Sequence, residues 1–229
     1  MSQRDAFLNR LRSRLPQAEL PQADPNHPGS FRGYTFAADT PPSDLVDRFT
    51  QELNTLSGQV YTVETEQAIT EIVQQILQKH GTKQLLSWGS DSLAPSQLVA
   101  ALTTAGIEFV AHELPMTPAD RRAKLAALGK IEVGLTGAHG ALADTGAIAL
   151  ISGPGRGRLA SLLPPVHIAI VPQQKLYPSL PAFLAAHPKA TSDGSNLVFI
   201  AGPSRTGDIE MTLTMGVHGP GELHVILSP

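Results

Sequence analysis

Apolar runs without alternation are the strongest constraint in this sequence. Residues 147–151 read Ala-Ile-Ala-Leu-Ile, residues 168–171 read Ile-Ala-Ile-Val, and residues 197–201 read Leu-Val-Phe-Ile-Ala. A strand with one face in water alternates apolar and polar positions. A run that is apolar throughout is buried on both faces. Strands of that kind belong to mostly parallel sheets covered by helices. The predicted fold class is therefore α/β: a mostly parallel, Rossmann-like sheet flanked by helices.

Helical periods fill the intervals. Ser43 is placed to cap a helix with Leu45, Val46, Phe49, Leu53 and Leu56 on one face. Thr65 opens a second, with Ala68, Ile69, Ile72, Val73, Ile76 and Leu77, closed by Gly81. Further helices are predicted at 96–105, 118–128, 157–163 and 180–186. Strands are predicted at 60–63, 85–88, 107–110, 131–135, 147–151, 168–171, 197–201 and 223–227. Those at 85–88, 107–110, 131–135, 147–151, 168–171 and 197–201 are expected to share one sheet. At the N-terminus Phe7, Leu8, Leu11 and Leu15 recur at helical spacing, and Pro16, Pro21, Pro25 and Pro28 then break up a polar stretch. Residues 1–42 read as a helix and proline-rich arm, and residues 43–229 as one domain.

Composition removes several function classes. The chain has 229 residues, a formal charge of −3 and no cysteine. Nothing points to a nucleic-acid groove. No apolar run approaches the roughly 20 residues that span a bilayer, and the charged N-terminus lacks a signal-peptide core, so the expected location is the cytoplasm. Without cysteine there is no thiolate nucleophile and no cysteine-ligated iron–sulfur cluster in this chain. Any redox role needs a bound organic cofactor or a cluster on another subunit.

The polar chemistry is concentrated near the C-terminus. The run Gly202-Pro203-Ser204-Arg205-Thr206-Gly207-Asp208-Ile209-Glu210 follows a buried strand, and Gly216-Val217-His218-Gly219-Pro220-Gly221-Glu222 comes next. A polar, glycine-rich turn at a strand end is where α/β proteins place ligands. Arg205 is the candidate for gripping a carboxylate or phosphate, because its planar fork binds either bidentately. Ser204 and Thr206 add hydroxyls. Asp208 is also positioned to pair with Arg205 and simply organise the loop. His218, in a glycine–proline turn, and His139 are candidate acid–base groups, with Asp208 and Glu210 as carboxylate candidates. His218, His224 and His139 lack the short spacing of a metal site, so none is expected.

The middle of the chain carries Ala143-Asp144-Thr145-Gly146-Ala147, a tight turn into a strand. Ser152-Gly153-Pro154-Gly155-Arg156-Gly157-Arg158 precedes a predicted helix, and reads equally as an anion site or a solvated loop. His167 lies within an apolar strand and reads as structural, and His80 and His187 as helix-end residues. There is no nucleophile elbow for a catalytic triad. Glu222, just before the last strand, is a possible carboxylate nucleophile on position alone.

The Gly-Pro-Ser-Arg-Thr-x-Asp-Ile-Glu run with Gly-Val-His-Gly-Pro resembles the closing signature of the LUD domain family, in its lactate-utilisation protein C group. The 143–147 segment resembles that family's Ala-Asp/Glu-Thr-Gly-Thr motif, with Ala147 where threonine is usual. The resemblance implies the wider fold of ribose-phosphate isomerases, glucosamine-phosphate deaminases and CoA transferases. It also implies a component of a system oxidising L-lactate to pyruvate together with iron–sulfur subunits. On that basis Asp144, Thr145, Gly146, Gly202, Pro203, Ser204, Arg205, Thr206, Asp208, His218 and Gly219 are expected to converge on one cleft for a small anionic ligand. A stand-alone enzyme of the wider superfamily and a structural member without catalysis stay open as alternatives.

Overall fold

Thr65 starts its helix as the sequence predicts: its Oγ1 accepts the N–H of Ala68 at 3.2 Å. The structure, a computed structural model, describes residues 3–14, 40–93, 97–207 and 213–229. The chain divides into two compact units, Met1–Tyr34 and Thr35–Pro229. In the first unit α1 (Gln3–Arg14) leaves Phe7 exposed; Leu15 lies outside the described residues.

The second unit holds a six-stranded, all-parallel sheet in the order β1-β12-β7-β4-β2-β3. Its strands are β1 (Gln59–Thr62), β2 (Gln84–Ser87), β3 (Glu108–Ala111), β4 (Val133–Gly137), β7 (Val166–Pro172) and β12 (Glu222–Ser228). The helices of this unit are α2 (Pro42–Thr55), α3 (Glu66–Lys79), α4 (Leu98–Thr104), α5 (Pro118–Leu128), the single-turn α6 (Leu159–Leu162) and α7 (Leu180–Ala186). Phe49 and Leu53 of α2, Ile69 and Val73 of α3, and Leu135, Ile168 and Val225 of the central strands are fully buried in one core.

A second, four-stranded sheet runs β8-β5-β6-β9. It comprises β5 (Gly140–Leu142), β6 (Ala147–Ser152), β8 (Leu176–Tyr177) and β9 (Asn196–Ile200). This corrects the expected membership of the parallel sheet, since residues 147–151 and 197–201 pair antiparallel in the second one. For residues 147–151 the reason is connection length. β5 and β6 are joined by the short turn 143–146, and a parallel return needs a crossover of a dozen or more residues. β6 is buried at every position all the same, so its apolar run reports burial on both faces, not strand direction.

Smaller differences follow local chemistry. α2 begins on Pro42 with Pro41 as its N-cap, so proline's fixed φ replaces the expected Ser43 cap. The helix predicted over 157–163 is only one turn, because Pro164 and Pro165 stop it. At Gly134 of β4 an added Cβ would lie 1.9 Å from the Ala160 carbonyl oxygen. Glycine there lets α6 press directly on the sheet.

Candidate functional site

The C-terminal end of α2 gathers both glycine motifs. The helix closes with Ser57 N–H on the Asn54 carbonyl and Gly58 N–H on the Leu53 carbonyl, both at 2.9 Å. Ser57 therefore sits at the position that favours glycine, with φ +66°. The β6–β9 register pairs Ile148 with Ile200. Continuing it by two residues brings Gly146 level with Gly202. Both have positive φ, and both abut α2: a Cβ on Gly146 would lie 2.5 Å from Leu53 N, and one on Gly202 2.8 Å from the Leu56 carbonyl oxygen. Neither position tolerates a side chain.

Arg205 completes this arrangement. Its Nη2 donates to the Leu56 carbonyl and, at 3.1 Å, to Ser57 Oγ. A guanidinium at a helix C-terminus meets the negative end of the dipole and an orphan carbonyl. Arg205, expected to grip a ligand, is thus engaged with α2. Asp208 and Glu210 lie outside the described residues.

Asp144 and Thr145 form the turn beside the same helix. Asp144 N–H bonds to the Pro178 carbonyl at 3.2 Å. Among the described residues, Asp144 Oδ1 and Thr145 Oγ1 are buried without a hydrogen-bond partner. Burial pushes the Asp144 carboxyl above its ordinary range; the adjacent Thr145 hydroxyl, close to it but outside hydrogen-bond geometry, works against the shift, and Glu52 adds a little to it.

A cavity of about 140 Å³ is lined by Gly202, Pro203, Ser204, His218 and Gly219 of the second motif, together with His167, Ile200, Leu223 and others. Its rim is fastened by Ser204 N–H to the Pro220 carbonyl at 2.8 Å and by Gly216 N–H to the Ser204 carbonyl at 2.9 Å. From this rim runs the hairpin β10 (Arg205–Gly207) and β11 (Leu213–Met215). An open groove of about 520 Å³, with Leu162, Met215 and Val217 on its walls, meets the cavity at His218 and Gly219. The structure therefore brings Gly202, Pro203, Ser204, His218 and Gly219 together around one cavity. Asp144, Thr145 and Gly146 are not on its lining. They reach it only through α2 and Gly202.

The cavity lies where the parallel strands begin. Leu223 and His167 are each the second residue of β12 and β7. Ligands of parallel sheets commonly sit at the opposite, carboxyl edge. The motif escapes that rule because Gly202 follows β9, which belongs to the other sheet.

His167 is the informative residue that sequence reasoning passed over. It is 1% exposed and lines the cavity. Its Nε2 lies 2.8 Å from Thr136 Oγ1, while Nδ1 has no partner among the described residues. Burial, with a smaller contribution from His224, holds its pKa down at about 3, so the ring is neutral. A histidine in an otherwise apolar strand was the available signal.

The carboxyl edge is closed by structural contacts. His112 Nδ1–H donates to the Ser87 carbonyl at 2.9 Å, and Nε2 accepts Gly157 N–H at 2.9 Å. Trp88 Nε1–H donates to the Gly157 carbonyl at 3.1 Å. Arg156, from the segment that reads equally as an anion site or a solvated loop, folds back and donates from Nε to the Ile151 carbonyl at 3.0 Å. His139 Nδ1 accepts Ile151 N–H at 3.1 Å. Burial, then Arg156 and other nearby positive groups, lower its pKa to about 4. A ring that is neutral and already bonded at Nδ1 is poorly suited to act as a base near neutrality.

Glu222 is held between a lysine and two histidines. Its Oε2 lies 2.8 Å from Lys79 Nζ, 3.4 Å from His80 Nε2 and 3.3 Å from His224 Nε2. Burial raises its pKa, but hydrogen bonds from Lys79 and His224 and the surrounding charge outweigh it, so the carboxyl titrates below its usual range. His224 Nδ1 lies 3.1 Å from Tyr61 Oη, which makes Glu222 part of a fastening between α3, β1 and β12.

Among the described residues no helix is long and apolar enough to cross a membrane. The chain is 32% identical over 180 residues to lactate utilization protein C of Halalkalibacterium halodurans, covering 74% of this chain and 76% of the relative. It is 28% identical over 222 residues to lactate utilization protein C of Macrococcus caseolyticus, covering 94% and 91%. The crystal structure of a DUF162 family protein from Deinococcus radiodurans superposes with a TM-score of 0.61 at 21% identity, over 83% of this chain and 99% of that one, which establishes a shared fold. The LUD domain profile matches residues 46–228, a span that includes most of α2, both sheets, the two glycine motifs and the cavity, and so this chain belongs to the LUD domain family.

Proposed function

We propose that this chain serves lactate utilisation as a subunit without iron–sulfur clusters, binding a small anionic metabolite in the cavity beside Ser204 and His218. The observation that carries the reading is its similarity to lactate utilization protein C across nearly the whole chain. The absence of cysteine supports the division of labour: clusters and electron transfer fall to partner iron–sulfur subunits in the cytoplasm. The cavity size supports a small ligand. About 140 Å³ is close to the roughly 150 Å³ of an engineered apolar cavity that holds benzene, which suits a ligand of a few heavy atoms. The test is genetic and biochemical. Cells lacking the chain should fail to grow on L-lactate while growing normally on pyruvate. Affinity capture of the tagged chain from lactate-grown cells should recover cysteine-rich partners. Unimpaired growth on lactate would sink the reading.

A further inference from the structure

Two adjacent strands of the second sheet differ in cover. β6 is buried at every position, whereas β9 beside it is half-buried at every position. Among the described residues β9 pairs with β6 alone, so it is an edge. The aim of its backbone groups follows from β6. Ile151 N–H donates to His139 Nδ1, and the Ile151 carbonyl accepts from Arg156 Nε. The Ala149 carbonyl accepts His139 N–H. Ile151 and Ala149 therefore turn their polar groups away from β9. Their register partners are Leu197 and Phe199. Such partners in an antiparallel pair turn theirs away as well. The N–H and C=O groups of Leu197 and Phe199 thus project from the open edge.

Open edges in natural sheets are kept short, charged, bulged or interrupted by proline. β8, at the opposite edge, has only two residues. The edges of the parallel sheet carry polar residues, Gln59 and Thr62 on β1 and Glu108 on β3. β9 has none of these guards. There is no charge and no proline between Ser195 and Gly202, and the β6–β9 register runs without a bulge. Leu197 and Phe199 pack into one apolar cluster and Ile200 against the other. Val198, half-buried, belongs to neither.

We propose that β9 is the interface with a second copy of this chain, paired antiparallel about a two-fold axis through Val198. The pattern of outward groups selects this occupant. With Val198 opposite its own twin, Leu197 lies opposite the partner's Phe199, and Phe199 opposite the partner's Leu197. Both are hydrogen-bonded pairs, so the four outward groups of each copy are all satisfied. Between them the two Val198 side chains meet in the closer kind of pair, with Cα atoms about 4.5 Å apart. That contact covers the one apolar side chain of the strand that neither cluster takes up. The lack of charge matters because the chain carries a net −3. Two copies meeting at this edge set no like charges opposite each other. The two four-stranded sheets become one continuous sheet across the axis.

The test uses the full chain and three single substitutions. In analytical ultracentrifugation the wild type should sediment as a dimer, at twice the chain mass of 24.2 kDa. Val198→Lys sets two positive charges face to face and should weaken the dimer by roughly tenfold or more, with the circular dichroism of the chain unchanged. Val198→Cys introduces the only cysteine of the chain. Mild oxidation should link it into a disulfide-bonded dimer, because the axis places the two sulfurs opposite each other. Asn196→Cys is the register control. Its twin would lie about 13 Å away along the strand, so it should not cross-link. A wild-type chain that sediments as a monomer overturns the proposal. So does a dimer that survives Val198→Lys, or cross-linking as ready at Asn196→Cys as at Val198→Cys, since either means that the copies meet elsewhere. A monomer whose Val198→Cys thiol resists alkylation in the folded state also overturns it, by showing that something other than a second copy covers the edge. If Val198→Lys fails to fold, the two cysteine variants decide alone.

Discussion

Arg205 Nη2 lies 3.1 Å from Oγ of Ser57, a residue held at φ +66° at the end of α2. The pairing predicts a coupled response. Arg205→Ala should cost about 1 kcal/mol, since the contact is exposed, and should lower the melting temperature by roughly 2–4 °C. Ser57→Gly relieves left-handed backbone strain of about 1 kcal/mol but loses the hydroxyl. It should stabilise the Arg205→Ala chain more than the wild type. Additive melting shifts in the double mutant would mean that the two residues do not act together.

Gly146 and Gly202 should resist substitution. Alanine at either adds backbone strain to a collision with α2, so each change should cost about 2–4 kcal/mol. Together they should cost less than the sum, because one displacement of α2 makes room for both. Urea midpoints of the two single variants and the double variant check this.

His112→Ala should be destabilising by about 2–4 kcal/mol, since it strips partners from a buried carbonyl of Ser87 and from Gly157 N–H. His112→Asn should recover part of the loss. Equal urea midpoints for wild type and His112→Ala would show that water replaces the ring at no cost.

Much of this was legible in the sequence. Thr65 and Gly81 mark both ends of α3, and the apolar runs at 168–171 and 223–227 became central strands. The run at 147–151 is just as apolar yet lies in the other sheet, because apolarity reports burial and the length of the connection decides direction. The site was half legible. Gly202, Ser204, His218 and Gly219 do share a cavity. Leu56 and Ser57 had no signal of their own, since their role depends on an Arg205 that lies 149 residues from Leu56. His112 was hidden for the same reason: its partners are Ser87, at the end of β2 and 25 residues away, and Gly157, in a loop 45 residues away.

Acid should destabilise the fold. The folded pKa values of His139, about 4, and His167, about 3, lie below the unfolded value near 6.5. Between those limits the unfolded chain binds more protons, so stability is complete above about pH 6.5 and falls as pH drops towards the folded values. The slope is at most about 1.4 kcal/mol per pH unit for each ring. Glu222, with its lowered pKa, adds a loss in the same direction at lower pH. Urea midpoints should therefore fall between pH 7 and 5, and His139→Gln should flatten the dependence. A midpoint that rises on acidification would contradict these assignments.

Among the described residues β1 pairs on only one side, with β12. During synthesis, residues 59–62 leave the ribosome long before residues 222–228 exist. α2 and β1 must wait beside an unfinished sheet, and β7 keeps an open edge, until β12 slides between them. Such a late central insertion makes folding slow and leaves apolar strands uncovered in the meantime. A stalled or clipped chain should therefore be recognised by chaperones and proteases as unfinished, even though most of its residues are already made.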